Sequence, residues 1–385
     1  MRDTAEIVIV GAGALGCSTA YHLAEMGAKN VLVVDKGGIC SGETAKAGGF
    51  IQSHWVSLDE VRLIHRSREI FRNWEEIFGE SCGWTHTGYL HVTGEDNVDT
   101  VRSTHEMLLA EGIESQWLEP IEIKRMQPII SMSDLVGAAF EPQSGWADTE
   151  MATKSLARAA QARGVEFEQG VSVRQIAHRG GKIVGVETDR GFISTPCVAL
   201  CAGPWTPALH PLASEPLPIR AKRGQVCYVS RPNGLPKNEL CFYDEVTGIY
   251  SLVAGDRCLL GIDYDFTDVW NPNRYNREID GEYVEMALGA LAYRFPLMGT
   301  AHLVEGVVGL YDFTPDGHPI IDGPDALGLE GYFLAAGFSG AGFKSSPMTG
   351  LGLAEMILKG KPESVNLDFL SYSRFKDSDH WIGWE

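Results

Sequence analysis

Near its start the chain carries an unbroken apolar run, Ile7-Val8-Ile9-Val10, that passes directly into Gly11-Ala12-Gly13-Ala14-Leu15-Gly16. A short β-branched run without polar alternation predicts a strand buried on both faces, as in a parallel sheet. The glycines then open a predicted helix that continues to about Met26, and Val31-Leu32-Val33-Val34 predicts a second buried strand ending on Asp35. Two later runs end similarly. Val198-Ala199-Leu200-Cys201 leads into Ala202-Gly203-Pro204-Trp205, and Tyr332-Phe333-Leu334-Ala335 leads into Ala336-Gly337-Phe338-Ser339-Gly340. In one parallel sheet their carboxyl ends would converge on a single crevice, where ligands bind in open α/β folds.

The intervening stretches have a different pattern. Tyr89-Leu90-His91-Val92-Thr93 predicts a strand and Val98–Glu111 a helix, while Gln225–Val229 and Cys258–Ile262 predict short strands. Turn residues separate them, Arg231-Pro232-Asn233-Gly234 and Ala254-Gly255-Asp256. The chain therefore predicts an α/β plus α+β fold. A discontinuous Rossmann-like dinucleotide-binding domain spans 1–85, 148–218 and 313–385. A second domain on an antiparallel sheet spans 86–147 and 219–312.

The opening unit is the βαβ dinucleotide fingerprint in full context. Gly11 permits a tight turn, Gly13 lets the backbone approach a pyrophosphate, and Gly16 allows close helix–strand packing. The pyrophosphate would rest on unpaired N–H groups at the helix start, and Asp35 would accept a ribose hydroxyl. A glycine-rich turn alone would carry little; the flanking strands and the terminal acid give it weight.

Charge narrows the partners. With 32 Lys and Arg against 51 Asp and Glu, the net charge of −19 argues against nucleic acid or an anionic membrane as partner. No apolar run reaches the length of a membrane span, and the first strand begins too early for a signal peptide, so a cytoplasmic protein is expected. The 8 cysteines contain no CxxC pair and lie largely in apolar runs, which predicts buried free thiols and no metal site.

Several segments together resemble the FAD-dependent amine oxidoreductases of the D-amino-acid oxidase superfamily, among them sarcosine oxidase, glycine oxidase and the dimethylglycine and proline dehydrogenases. They are the fingerprint, the loop Ser41-Gly42-Glu43-Thr44-Ala45, Ala202-Gly203-Pro204-Trp205, and Thr314-Pro315-Asp316 with Gly337-Phe338-Ser339-Gly340-Ala341-Gly342-Phe343-Lys344. The resemblance runs from residue 7 to about 360 and implies FAD as cofactor. Its contacts would come from Gly11, Gly13, Ala14, Leu15, Gly16, Asp35, Lys36, Ser41, Thr44, Ala45, Gly48, Gly49, Val173, Gly203, Trp205, Gly309, Gly340, Gly342, Phe343 and Lys344. A helix over about Pro347–Leu358 would aim its positive end at the Gly337–Gly342 loop, where reduced flavin is negative. Lys344 would hold a substrate carboxylate, positioning a C–H bond over flavin N5, and Tyr250 falls at an active-site tyrosine of the family. Apart from the resemblance, that lysine could be solvated and that tyrosine a packing aromatic.

The implied reaction is hydride transfer from a secondary or primary amine, such as an N-alkyl amino acid, to flavin N5, giving an imine that hydrolyses. Three departures qualify it. Gly309 stands where monomeric sarcosine oxidases carry the flavin-linked cysteine and the Ser41–Gly49 loop lacks histidine, so FAD is expected to be non-covalent. A carboxylate-binding arginine is replaced by Gln52, for which Lys46 is a candidate substitute. A Lys-x-x-x-His pattern that activates oxygen is replaced by Leu259-Leu260-Gly261-Ile262-Asp263, which favours an acceptor other than oxygen. Alternatives are therefore a quinone- or partner-linked dehydrogenase, or a flavin-binding subunit of a hetero-oligomer. The tail Asp379–Glu385, with its two tryptophans, is the segment that hints at a partner surface.

Overall fold

The four apolar runs become neighbours in one parallel sheet because each is apolar on both faces and must be covered twice. The computed structural model describes residues 2–376 except 56, 213, 234, 236–239, 264 and 265; the Asp379–Glu385 tail lies outside the described residues. The six-stranded sheet runs Ile320–Asp322, Tyr332–Ala336, Val198–Leu200, Ile7–Val10, Val31–Asp35, Glu166–Gln169, all parallel except the first. Alternation divides its side chains. Ile7, Ile9, Val31 and Val33 pack under the helices Ala14–Glu25 and Thr149–Gln161. Val8, Val10, Leu32 and Val34 pack on a three-stranded meander between Val173 and Ser194.

A nine-stranded sheet forms the other large layer. It is antiparallel except that Tyr89–Thr93 runs parallel to Cys241–Asp244, the long crossover between them removing any need for a hairpin. One face is buried against the helix Gly281–Arg294, whose Tyr283, Ala287 and Leu291 enter the core. The opposite face carries Tyr89, Tyr243, Tyr250 and Leu259 and receives Phe50. Phe50–Ile51 is itself pinned to Gly145–Trp146 in a small fourth sheet, which carries the following residues across that face.

The C-terminal helix corrects one expectation. It spans Gly342–Lys359, starting five residues before Pro347. Proline cannot donate to the carbonyl four residues back, but Ser346 Oγ bonds that orphaned carbonyl, Phe343 O, at 2.9 Å. The helix therefore continues through the proline, and its first turn brings Lys344 directly behind the glycine loop. None of the cysteines is in a disulfide, and burial raises their pKa values, Cys40 to about 11 and Cys197 to about 12. Among the described residues no helix is long and apolar enough to cross a membrane.

Candidate active site

The first wall of the crevice is built by backbone. Gly11 has φ +108°, and a Cβ there would run into the Cys201 carbonyl; a Cβ on Gly16 would meet the Gly11 carbonyl. Gly13, at the N-cap, has no side chain to cap the helix, and its Cβ position lies 3.1 Å from Thr44 Oγ1. Thr44 Oγ1 accepts from Ala14 N at 3.2 Å, so the Glu43–Lys46 turn, which includes Ala45, is fastened to the helix start beside Leu15. Asp35 fastens the glycine turn, its two oxygens accepting from Ala12 N (2.8 Å) and Gly37 N (2.7 Å). Each oxygen keeps a lone pair for a ribose hydroxyl. Ser41 Oγ accepts from Gly38 N at 2.8 Å, and Gly49, beside Gly48, has φ +76°.

The neighbouring strand ends close this wall. Lys36 Nζ lies 3.3 Å from the Trp205 ring centroid, and burial lowers its pKa to about 8. Both residues bond Asn273 Oδ1, Lys36 at 3.0 Å and Trp205 Nε1 at 2.8 Å. Sequence reasoning did not anticipate that segment, because an asparagine among turn residues carries no signal of its contacts. Gly203, at φ +51°, has open space around its Cβ position. Gly170 N and Val171 N bond Gly37 O and Asp35 O, so the segment that leads into Val173 leaves from beside the acid. A helix start with glycine at its N-cap, a glycine turn without room for side chains and an acid at the second strand end fit the pyrophosphate and ribose of FAD.

The second wall is the loop before the last helix. Asp312 Oδ2 accepts from Gly337 N at 2.7 Å and its carbonyl accepts from Ser339 N at 3.0 Å; burial raises the Asp312 pKa to about 6. Gly337, Ser339 and Gly340 all have positive φ, which folds the loop tightly around Asp312. Phe343 packs its ring on Phe71, centroids 5.2 Å apart, so its backbone is the part left for a cofactor at the helix start beside Gly342. Gly309 lies against Glu43, whose Oε2 would be 2.9 Å from a Cβ there and accepts from Leu310 N at 2.7 Å.

Lys344 is buried and forms no hydrogen bond or ion pair among the described residues; its ammonium sits 4.6 Å from the Trp55 ring centroid. Burial lowers its pKa to about 8, opposed by the negative charges of Glu141, Glu60 and Asp263. Tyr250 hydrogen-bonds Tyr311 and meets Phe50 edge-on at 5.8 Å. Gln52 is buried with Oε1 unpartnered. Lys46 does not substitute for the absent arginine. Its ammonium is committed to Glu43 (3.1 Å) and Tyr275 OH (2.9 Å). Leu259, buried, lies within 3.4 Å of the Gly48 Cβ position.

Glu141 organises the loop that carries Gln52 and Trp55. Fully buried, it accepts from Ser53 N (2.9 Å), His54 N (2.8 Å) and Ser144 Oγ (2.8 Å), and Arg68 Nη1 stands 3.4 Å away. The sequence offered no route to Glu141 or Trp55, since their partners lie far along the chain.

These features define a flavin-dependent oxidoreductase, and the chain belongs to the DAO family of FAD dependent oxidoreductases, matching it over residues 6–356. It is 30% identical to human mitochondrial sarcosine dehydrogenase over 99% of this chain but spans 43% of that protein, less than half its length. It is 28% identical to the Arthrobacter sarcosine oxidase subunit beta, covering 97% of this chain and 92% of that one. The structure of L-proline dehydrogenase from P. horikoshii superimposes with a TM-score of 0.89 at 26% identity, covering 98% and 99% of the two chains.

Proposed function

We propose that the protein oxidises the C–N bond of an amine bearing a carboxylate, an N-alkyl amino acid such as sarcosine or a glycine-like amine. The observation that carries this reading is Lys344, a buried ammonium without an ion-pair partner among the described residues, set at the helix start behind the glycine loop. An unpaired buried charge is costly, so retaining it favours an anionic ligand, and a carboxylate fits. Lys344 would fix that carboxylate and so orient the adjacent C–N bond, with Tyr250 and Tyr311 forming the apolar wall. FAD, held non-covalently, supplies the hydride acceptor when bound. The amine lone pair expels the hydride, so the substrate must be bound as the free amine; its imine product then takes up water. The resemblance to sarcosine dehydrogenase and a sarcosine oxidase subunit points to the same substrate class.

A second reading concerns the electrons. Leu259 is apolar and Lys46 is neutralised by Glu43, an environment that favours an acceptor other than oxygen, or a partner subunit. The match along 92% of an oxidase subunit beta supports that arrangement. The test is anaerobic titration of the FAD-loaded protein with sarcosine, dimethylglycine, glycine, proline and bulkier N-substituted glycines. Loss of oxidised-flavin absorbance with at least one is expected; no bleaching with any would overturn amine oxidation.

A further inference from the structure

The face of the nine-stranded sheet that meets the candidate site is read most clearly from its register. His91 pairs with Tyr243, Tyr243 with Tyr250, and Tyr250 with Gly261, so these four positions form one row across neighbouring strands. The Tyr250 ring lies where a Cβ on Gly261 would be. Asp263, two residues beyond Gly261, lies near the end of that row, and its Oδ2 accepts from Tyr243 OH at 3.0 Å. That is its one side-chain hydrogen bond among the described residues. Asp263 is exposed on this face; partial desolvation by the surrounding protein raises its pKa, whereas the Tyr243 hydroxyl and then Lys344 across the site lower it, and the two charges interact without forming an ion pair.

A second strip lies over the row. Phe50 packs edge-on against Tyr250, and the His54 ring lies tilted against His91 with centroids 4.3 Å apart. Gln52 lies midway between them along the chain. Gln52 (7% exposed) and His54 (8% exposed) each bury an atom without a partner, Oε1 and Nδ1 respectively. Burial keeps His54 neutral, and the His91 ring beside it is bonded to Glu245 at 2.7 Å. Strip and row together thus present an exposed carboxylate, a buried carbonyl oxygen without a partner and aromatic faces. The carboxylate, the carbonyl oxygen and the aromatic faces all suit a donor-rich cation.

We infer that Asp263 is a specificity-determining residue that binds a cationic nitrogen of the substrate, with Gln52 Oε1 as a second acceptor. The inference rests on the amine-oxidation reading above and extends it: the ligand is a zwitterion, its carboxylate at Lys344 and its cationic nitrogen at Asp263. That nitrogen is either the reacting amine as it arrives protonated or a second basic group on the same molecule. In the first case the proton would pass from the ammonium to the Asp263 carboxylate, leaving the free amine and a carboxylic acid.

The experiment is visible-spectrum titration of anaerobic FAD-loaded protein with n-propylammonium chloride, with sodium propionate and potassium chloride as controls, in wild type, Asp263→Asn and Asp263→Glu. Because it needs no turnover, it reports even where no substrate bleaches the flavin. We expect saturable binding of n-propylammonium, weakened about tenfold or more in Asp263→Asn and largely retained in Asp263→Glu, with propionate binding undiminished. Equal n-propylammonium affinity in wild type and Asp263→Asn, or no saturable binding to wild type, would overturn the inference. Reduction rates with sarcosine and Nα-methyl-lysine then locate the nitrogen. Loss on both in Asp263→Asn assigns the reacting amine, loss confined to the dibasic substrate assigns a second group, and loss on neither overturns the proposal.

Discussion

The Lys344 ammonium stands 4.6 Å from the centroid of the Trp55 ring, a desolvated cation over an aromatic face. Such contacts contribute about 2 kcal/mol when water is excluded, enough to offset part but not all of the burial cost of an ammonium. Trp55 lies two residues after Ser53, whose amide is fixed by Glu141. One buried carboxylate thereby sets the wall that faces the cation.

Replacing Lys344 with Met removes the charge and keeps the chain length. Charged hydrogen bonds contribute roughly 1.5–3 kcal/mol, so the half-saturation constant for substrate in anaerobic stopped-flow should rise by about 10- to 100-fold. Stability to urea near neutral pH should be unchanged or higher, because the variant no longer buries an unpaired ammonium. An unchanged half-saturation constant would remove Lys344 from carboxylate binding.

The same residue predicts a pH dependence with a definite sign. Burial holds its pKa at about 8, against an ordinary value of 10.5. Below pH 8 the ammonium is charged and an unreactive carboxylate such as propionate should bind fully; affinity should fall as pH rises through about 8. In the unfolded chain the lysine keeps its proton to higher pH, so between about 8 and 10.5 the unfolded state binds more protons and the contribution of Lys344 to stability rises with pH. Propionate titrations across pH 6.5–9.5 check the first statement, and Lys344→Met should abolish that dependence.

Glu141→Ala should be the most destabilising single change in this region. It leaves Arg68, 2% exposed, without its buried acid partner and frees the amides of Ser53 and His54. Breaking a buried ion pair from one side costs about 3–5 kcal/mol. Glu141→Gln, which keeps an acceptor for one amide, should lose less. Urea unfolding measures both, and comparable stabilities for all three proteins would show that the loop is held by other contacts.

The dinucleotide wall was legible because its signal is local. Gly11, Gly16 and Asp35 are meaningful at their spacing, and the structure joins them within one βαβ unit, as in the bond from Ala12 N to Asp35. The start of the last helix was misjudged by five residues because proline is read as a helix opener, and nothing local announces that Ser346 satisfies the carbonyl Pro347 abandons. The substrate side was the least legible. Lys344 stands out in a glycine-rich pattern, but its neighbours Trp55, Glu141 and Asp263 arrive from different sheets and loops. Their meaning depends on cross-strand register, as in the row from His91 to Gly261.

Leu259 carries the final prediction, the identity of the electron acceptor. Its side chain is 2% exposed and packs toward Gly48, on the sheet face that receives Phe50. Oxygen gains negative charge on its first one-electron reduction, and a cation at this position would stabilise that charge; leucine cannot. Lys46, the lysine of the adjoining turn, is already paired with Glu43. After anaerobic reduction, mixing with air-saturated buffer should therefore reoxidise the protein slowly, and a soluble quinone should do so at least about tenfold faster. Leu259→Lys should accelerate the reaction with oxygen, most strongly at low pH, because burial will lower the new lysine's pKa and only its protonated form helps. Fast reoxidation of the wild-type protein by air, unaffected by the substitution, would assign oxygen as the natural acceptor and place its activation elsewhere in the site.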